Sequence, residues 1–396
     1  MSFTPIIPLE LDGSIDTNIL NLAEEVCIKS AMLKGTHNIF ITNGIKELLR
    51  KTNSYYSNKI ESEGTHPIDI DKAMNQDFSN DIRQRTLQIL SIVHIDVQRS
   101  LEKVSNQFEN PYSSDILLHI HKEFYSKEGM ESFLKIEHEN LKATMIPGEL
   151  RHMNVAIGKH TAPDTKFIEH YLNEYQELYK RSLNQSKAIQ LIHALCSHHR
   201  LVWIHPFLDG NGRVSRLFLD NILNKINIEG YGLWNISRGL SKREKKYKEY
   251  LALADMSAQG VTDGRGPLSK RGLTYFLKFM LETALDQVEY MGKHLQIDSL
   301  GANIDKYVRL SQEGLFDTES LPQYSELIFK ELLISGEIER GRVQNIIGKK
   351  DRTATTLIGK LLQMQYLESD TPRGKLRLKF NSHFASRIIP ELFPDK

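Results

Sequence analysis

The chain has 396 residues, with 51 Lys and Arg against 50 Asp and Glu, and a formal net charge of +1. Apolar residues make up 40% and charged residues 26%, which describes a globular protein of two or three domains and excludes a largely disordered chain or one coated throughout for nucleic acid. No uncharged apolar run reaches the roughly 18 residues of a membrane span, the N-terminus lacks the basic and apolar blocks of a secretory signal, and two cysteines, Cys27 and Cys196, make no disulfide framework. The expectation is a cytoplasmic protein with no membrane segment.

Apolar residues recur at spacings of three and four along most of the chain, so the predicted fold class is mainly α. Residues 1–13 hold Pro5, Pro8 and Gly13 and read as an extended lead-in. Helices are predicted over 14–34 and 39–60, split by Gly35-Thr36-His37. A polar stretch from 61 to 69 breaks at Gly64 and Pro67, and helical segments follow at about 71–107 and 113–141. Between Pro147 and Pro163 the pattern changes: Asn154-Val-Ala-Ile157 followed by Gly158 predicts a short strand or hairpin. Helices resume at about 165–182 and 187–203, the latter striped by Ile189, Ile192, Leu195 and Cys196. Residues 257–268 are a loop. The polar region 296–324, interrupted by Gly301, Gly314 and Pro322, is the predicted linker to a small C-terminal domain.

The most informative run is Ile204-His205-Pro206-Phe207-Leu208-Asp209-Gly210-Asn211-Gly212-Arg213-Val214-Ser215-Arg216. Pro206, Gly210 and Gly212 do not sit comfortably in one helix, so the run reads as helix–loop–helix. Two glycines flanking Asn211 let backbone N–H groups converge, and the following helix adds its unsatisfied N-terminal N–H groups. Together these bind an anion. Arg213 and Arg216 share one face of that helix's first turn, where cations oppose the macrodipole at roughly 0.3–1 kcal/mol each. A bound polyphosphate reverses that sign. Asp209 could hold a divalent cation bridging phosphates, and His205 could accept a proton from an attacking hydroxyl. The alternative is a solvated Gly-Asn-Gly turn with salt bridges. The run is not a Walker A loop, since no Gly-Lys-Ser/Thr follows. Nor is it a dinucleotide fingerprint, since Ser215 stands where a third Gly is wanted.

This run resembles the Fic family motif HPFx(D/E)GNGRxxR at every defined position. The resemblance implies a Fic-type helical bundle with a β-hairpin flap, and transfer of AMP from ATP to a protein hydroxyl. By the resemblance, His205 is the general base and Asp209 the Mg²⁺ ligand. Asn211 and the backbone around Gly210 and Gly212 hold the α- and β-phosphates. Arg213 contacts the β-phosphate and Arg216 the γ-phosphate. Phe207 and Leu208 complete the ATP-binding run, Phe207 as a core anchor. One branch, the Doc toxins, bears Lys where this chain has Gly212 and transfers the γ-phosphoryl group; Gly212 favours AMP transfer.

The resemblance extends further. Residues 151–163 look like the family's flap, which pairs its edge with a target segment, with Val155 and Ile157 over the nucleotide; a purely structural hairpin is the alternative. Tyr247 falls in a segment resembling one near the adenine ring, with core packing as the other reading. Ser57-Asn-Lys-Ile-Glu61-Ser62 resembles the inhibitory motif (S/T)xxxE(G/N), departing only at Ser62. A Glu61 carboxylate on Arg216 would occupy the place of the γ-phosphate. His193, His198 and His199 lack HExxH spacing and, like Cys196, read as structural.

Residues 325–380 resemble the winged helix-turn-helix joined to many bacterial Fic proteins. Gly336 to Gly348 reads as a helix, Arg352 to Met364 as a second, and Tyr366 to Phe380 as a β-wing. From 340 to 380 ten basic residues face three acidic ones, a net +7 that suits DNA phosphates, with protein docking or dimerisation as the alternative. The expected organisation is an N-terminal helical region with an inhibitory helix (1–110), a Fic core (111–295), a linker (296–324) and a winged helix (325–396). The favoured function is a self-modifying protein adenylyltransferase. The alternatives are a DNA-binding regulator whose Fic domain senses nucleotide, and a Fic enzyme that removes AMP or uses another nucleotide. A homodimer is left open.

Overall fold

The structure is a computed structural model and describes residues 4–138, 141–158 and 160–394. Two N-terminal helices, α1 (Thr17–Leu33) and α2 (Ile39–Ile60), match the predicted pair. Each is opened by a side-chain cap, Asp16 accepting from Asn18 N and Asn38 accepting from Phe40 N and Ile41 N. After them come α3 (Pro67–Met74), α4 (Ile82–Val104) and α5 (Ser114–Tyr125). The helix predicted over 113–141 therefore ends at Tyr125. Beyond it lies an antiparallel hairpin, β1 (Lys135–His138) with β2 (Leu141–Thr144), in register Lys135 to Thr144.

A second, shorter hairpin, β3 (Ala156–Ile157) with β4 (His160–Thr161), forms where the β-branched stretch predicts it. Next come α6 (Ile168–Tyr179), α7 (Lys187–Ile204), α8 (Asn211–Lys225), α9 (Ser237–Lys242), α10 (Glu244–Ala254) and α11 (Lys270–His294). Helix α7 is buried almost all round, including His193, Cys196, His198, His199 and Arg200. It is the axis of the core, with α1, α6, α8 and α11 laid against it.

The region predicted as a linker is largely helix. Helix α12 (Ile297–Gln312) buries Leu300, Ile304, Tyr307 and Val308, a stripe at helical spacing that packs on the C-terminal unit. That unit holds α13 (Ser325–Ser335), β5 (Glu337–Ile338), α14 (Val343–Ile347), α15 (Asp351–Gln363), β6 (Leu367–Glu368), β7 (Leu376–Leu378) and α16 (Ser382–Ile388). Its sheet has the order β5-β7-β6. The single helix predicted from 336 to 348 is instead a strand, a 3-10 turn and α14, ended by Gly348 at φ 62. Much of the basic excess is answered locally: Arg377 pairs with Asp370, Lys375 with Glu337, and Arg342 with Glu331.

The C-terminal unit leans on α2. Asn38 donates to the Leu333 and Ile334 carbonyls, Lys51 donates to the Phe380 carbonyl, and the Tyr56 hydroxyl donates to the Leu392 carbonyl. Gly44 lies so close to Phe380 that a Cβ would meet its ring at 2.9 Å. Helix α2, which ends at Ile60 just before Glu61, is thus held along its length by the C-terminal unit.

Candidate functional site

The bend between α7 and α8 is built as its residue types require. His205 caps the end of α7 at φ 50, ψ 62, a left-handed conformation uncommon for a side-chain-bearing residue. Phe207 is fully buried and stacks on His121, with centroids 3.9 Å apart. The Asn211 amide closes the loop on itself: its oxygen accepts from Phe207 N at 2.9 Å and its nitrogen donates to Phe207 O at 2.8 Å. Gly210 sits at φ 77, where a Cβ would lie 2.2 Å from the Tyr125 hydroxyl oxygen. Only glycine fits there. Helix α8 therefore starts with no side-chain cap and no acidic residue in its first turn, so its N-terminal N–H groups stay available.

These groups face a cavity of about 500 Å³. His205, Leu208, Asp209, Gly210, Asn211, Gly212 and Arg213 line one wall; Val155 and Ile157 of the flap line the other, with Ile136 of the first hairpin. Most of the predicted residues are thus brought together, with four differences. Arg216 lies behind Gly212 and does not line the cavity. Phe207 is a core residue whose side chain does not reach the cavity. The Asn211 side chain is occupied within the loop, leaving its backbone for a ligand. Tyr247 does not line the cavity: it is buried, and its hydroxyl lies 2.7 Å from His198 Nε2. Its ring packs in the core because α10 lies alongside α11, and its hydroxyl also neighbours Arg216.

Arg213 and Arg216 are both almost wholly buried. Arg216 donates through Nε to the Ser57 hydroxyl and through Nη2 to the Ser57 carbonyl, both at 2.9 Å, and through Nη2 to Glu61 Oε1 at 2.6 Å. Glu61 also crowds the start of α8: a Cβ on Gly212 would meet its Oε1 at 2.3 Å. Burial raises the Glu61 pKa, but the charge and hydrogen bond of Arg216, with Arg213 behind it, outweigh this and hold it below the usual value. Ser62, the departure from the inhibitory pattern, takes φ 63, the backbone region glycine prefers.

Sequence reasoning missed two residues here. Glu63 accepts from Arg213 Nη1, so each arginine is answered by a carboxylate from one turn. Arg151 is buried and donates to the carbonyls of His205 (2.7 Å), Met153 (2.9 Å) and Pro163 (2.5 Å), tying both stems of the flap to the bend. A lone Glu after a helix reads as solvated, and a lone Arg before a hairpin as ordinary surface. Only the charge balance around two buried guanidiniums could have pointed to Glu63.

Burial pushes the His205 imidazole down to about 3, helped by the positive Arg151 nearby. The nearby Val202 backbone pulls the other way, and burial outweighs it. A neutral ring presents its unprotonated nitrogen as a proton acceptor. Asp209 stands at the exposed rim, with Oδ1 accepting from Gly210 N at 2.6 Å. One exposed carboxylate lining the cavity suits Mg²⁺, which is commonly held by one or two carboxylates and the phosphates of a substrate. Among the described residues no group of three or more His, Cys, Asp or Glu side chains forms a protein-only metal site. Nor, among them, is any helix long and apolar enough to cross a membrane.

Residues 111–223 match the Fic/DOC family model. Over 108 residues the chain is 32% identical to the protein adenylyltransferase Fic of Drosophila ananassae, covering 27% of this chain and 20% of that protein. The Aedes aegypti protein of the same name is 34% identical over 112 residues, with the same coverage. The chain thus spans about a fifth of the length of the curated relatives it matches. Among solved structures, a Fic family protein from Desulfovibrio desulfuricans G20 aligns over 92% of this chain and 97% of its own, at 16% identity and a TM-score of 0.52. Fic-1 of C. elegans aligns over 69% and 72%, at 14% identity and 0.51. Both show likeness of fold.

Proposed function

With residues 111–223 matching the Fic/DOC family model, we propose that this protein moves AMP from ATP to the hydroxyl of a Ser, Thr or Tyr side chain on a protein, its own included. One observation carries the reading. Two buried arginines stand at the end of a helix where cations are unfavourable, beside a cavity whose wall holds a neutral histidine. A triphosphate resolves that charge placement.

The triphosphate would lie across the free N–H groups of α8, with Arg213 on the β-phosphate and Arg216 on the γ-phosphate. The target oxygen attacks the α-phosphorus, and its proton passes to the free His205 nitrogen. The bond from the α-phosphorus to the bridging oxygen breaks, and pyrophosphate leaves. Asp209 would hold Mg²⁺, which when bound offsets phosphate charge.

In the resting state Glu61 and Glu63 take the places of phosphate oxygens on Arg216 and Arg213. ATP that enters without displacing them is misaligned for in-line attack. This inhibition is part of the proposal, as is a winged-helix reading of residues 325–380, which rests on the order β5-β7-β6 behind three helices.

Mass spectrometry of the purified protein incubated with ATP and Mg²⁺ tests the reading. A covalent AMP adduct is expected, lost in His205→Ala while ATP binding by calorimetry persists. Normal transfer by that variant would refute the base role.

A further inference from the structure

The hairpin β3–β4 has two residues in each strand, far too few to hold itself in place. Its orientation is set by what fastens it. Arg151 fixes the two stems, which leaves the ribbon free to tilt about that point. A second fastening lies on β4. The His160 ring hydrogen-bonds through Nε2 to the Trp203 carbonyl, 2.9 Å away, and its Nδ1 lies 3.4 Å from Asp255 Oδ2, an ion pair when the ring is protonated. Trp203 belongs to the last turn of α7, whose carbonyls have no partner within the helix. Asp255 caps the end of α10, and its other oxygen lies 3.1 Å from His199 Nε2 on the buried face of α7. His205 is two residues beyond Trp203. Flap strand and catalytic histidine are thus fastened to the same helix end.

We propose that Asp255 is a positioning residue for the transfer reaction: through His160 it fixes the tilt of the flap relative to His205. This rests on reading residues 151–163 as the flap that seats the target. A target segment pairing with the flap edge gains its register from backbone hydrogen bonds. The distance from its hydroxyl to His205 then depends on where the flap stands. Asp255 does not line the nucleotide cavity, so its loss moves the flap and leaves the phosphate seat intact.

The test compares Asp255→Asn, Asp255→Glu and His160→Gln, each in full-length protein also carrying Glu61→Gly. Backbone hydrogen exchange of residues 155–162 reports the flap without reference to activity. In Asp255→Asn and His160→Gln, flap exchange is expected to quicken about five- to tenfold. Self-labelling with AMP should fall by a similar factor, while ATP affinity and melting temperature stay within about twofold and a few degrees of the parent. Asp255→Glu should restore part of both losses. Unchanged flap exchange overturns the proposal. So does a loss of ATP affinity and melting temperature in step with the flap, which would mark a purely structural role. A parent that takes up no AMP would count against the proposed function, and the exchange result would still decide the latch.

Discussion

Replacing Glu61 by glycine removes the carboxylate that seats Arg216. A hydrogen bond to a charged group contributes about 1.5–3 kcal/mol. The Glu61 side chain is 34% exposed, against 3% for Arg216, so solvent screening reduces this to about 1–2 kcal/mol. The vacated guanidinium is buried and needs a new anion, which the γ-phosphate supplies. At about 1.4 kcal/mol per tenfold, productive ATP occupancy should rise by about 5- to 30-fold below saturation. Glu63→Gln should act in the same direction on Arg213, whose partner is 32% exposed. Because both carboxylates sit on one turn, the double variant should gain less than the product of the singles. The assay is AMP incorporation from ATP labelled at the α-phosphate, run at several ATP concentrations for the parent, both singles and the double. Equal labelling of Glu61→Gly and the parent would refute the inhibitory contact. A gain for Glu61→Gly with none for Glu63→Gln would confine inhibition to one arginine.

His205 is held down to about 3, below the roughly 6.5 of an unfolded histidine, so its neutral form contributes stability that is full above about pH 6.5 and is lost as pH falls toward 3. Transfer by Glu61→Gly should therefore be flat between roughly pH 6 and 8, and a limb near 6.5 in the rate profile would show that the base is not buried during turnover. Ser62→Gly relieves a left-handed backbone and should deepen the inhibition by roughly 0.5–1 kcal/mol, seen as two- to fivefold less basal labelling; more labelling would contradict a strained turn. Gly210→Ala combines a positive φ with a clash on Tyr125 and should lose roughly 2–4 kcal/mol in urea unfolding together with ATP binding. Parent-like behaviour on both counts would mean that the bend relaxes freely.

The bend was legible because chemistry restricts it. Glycines at 210 and 212, arginines at 213 and 216 and histidine at 205 each fit one anion-binding account, and the structure gathers six defined motif positions (His205, Asp209, Gly210, Asn211, Gly212 and Arg213) with Val155 and Ile157 around one cavity. The helix spans were legible from their apolar spacing. Three places were not, the segment 336–348 with its short strand and 3-10 turn among them. The stripe Leu300, Ile304, Tyr307, Val308 has helical spacing, but Gly301 and polar neighbours dilute it, so composition suggested a linker. The hairpin at 135–144 has Ile136 and Thr144 as its only β-branched residues, too few to interrupt a helical reading. Glu63, Arg151 and Asp255 act through partners brought near by the fold, and such pairings leave no local pattern. Tyr247 shows the converse: an aromatic in a suggestive segment turned inward, because its ring meets His198 on the buried helix.

Helix α2 runs for 22 residues, about 33 Å at 1.5 Å per residue, between Asn38 and the turn that carries Glu61 and Glu63. Its flank is gripped by residues as late in the chain as Leu392. The cavity beside α8 and the C-terminal unit therefore share a single beam. Cutting the chain before residue 325 would strip that beam of its outer supports, and the shortened protein would report a looser gate than the intact one has. Activities measured on such fragments would describe the fragment.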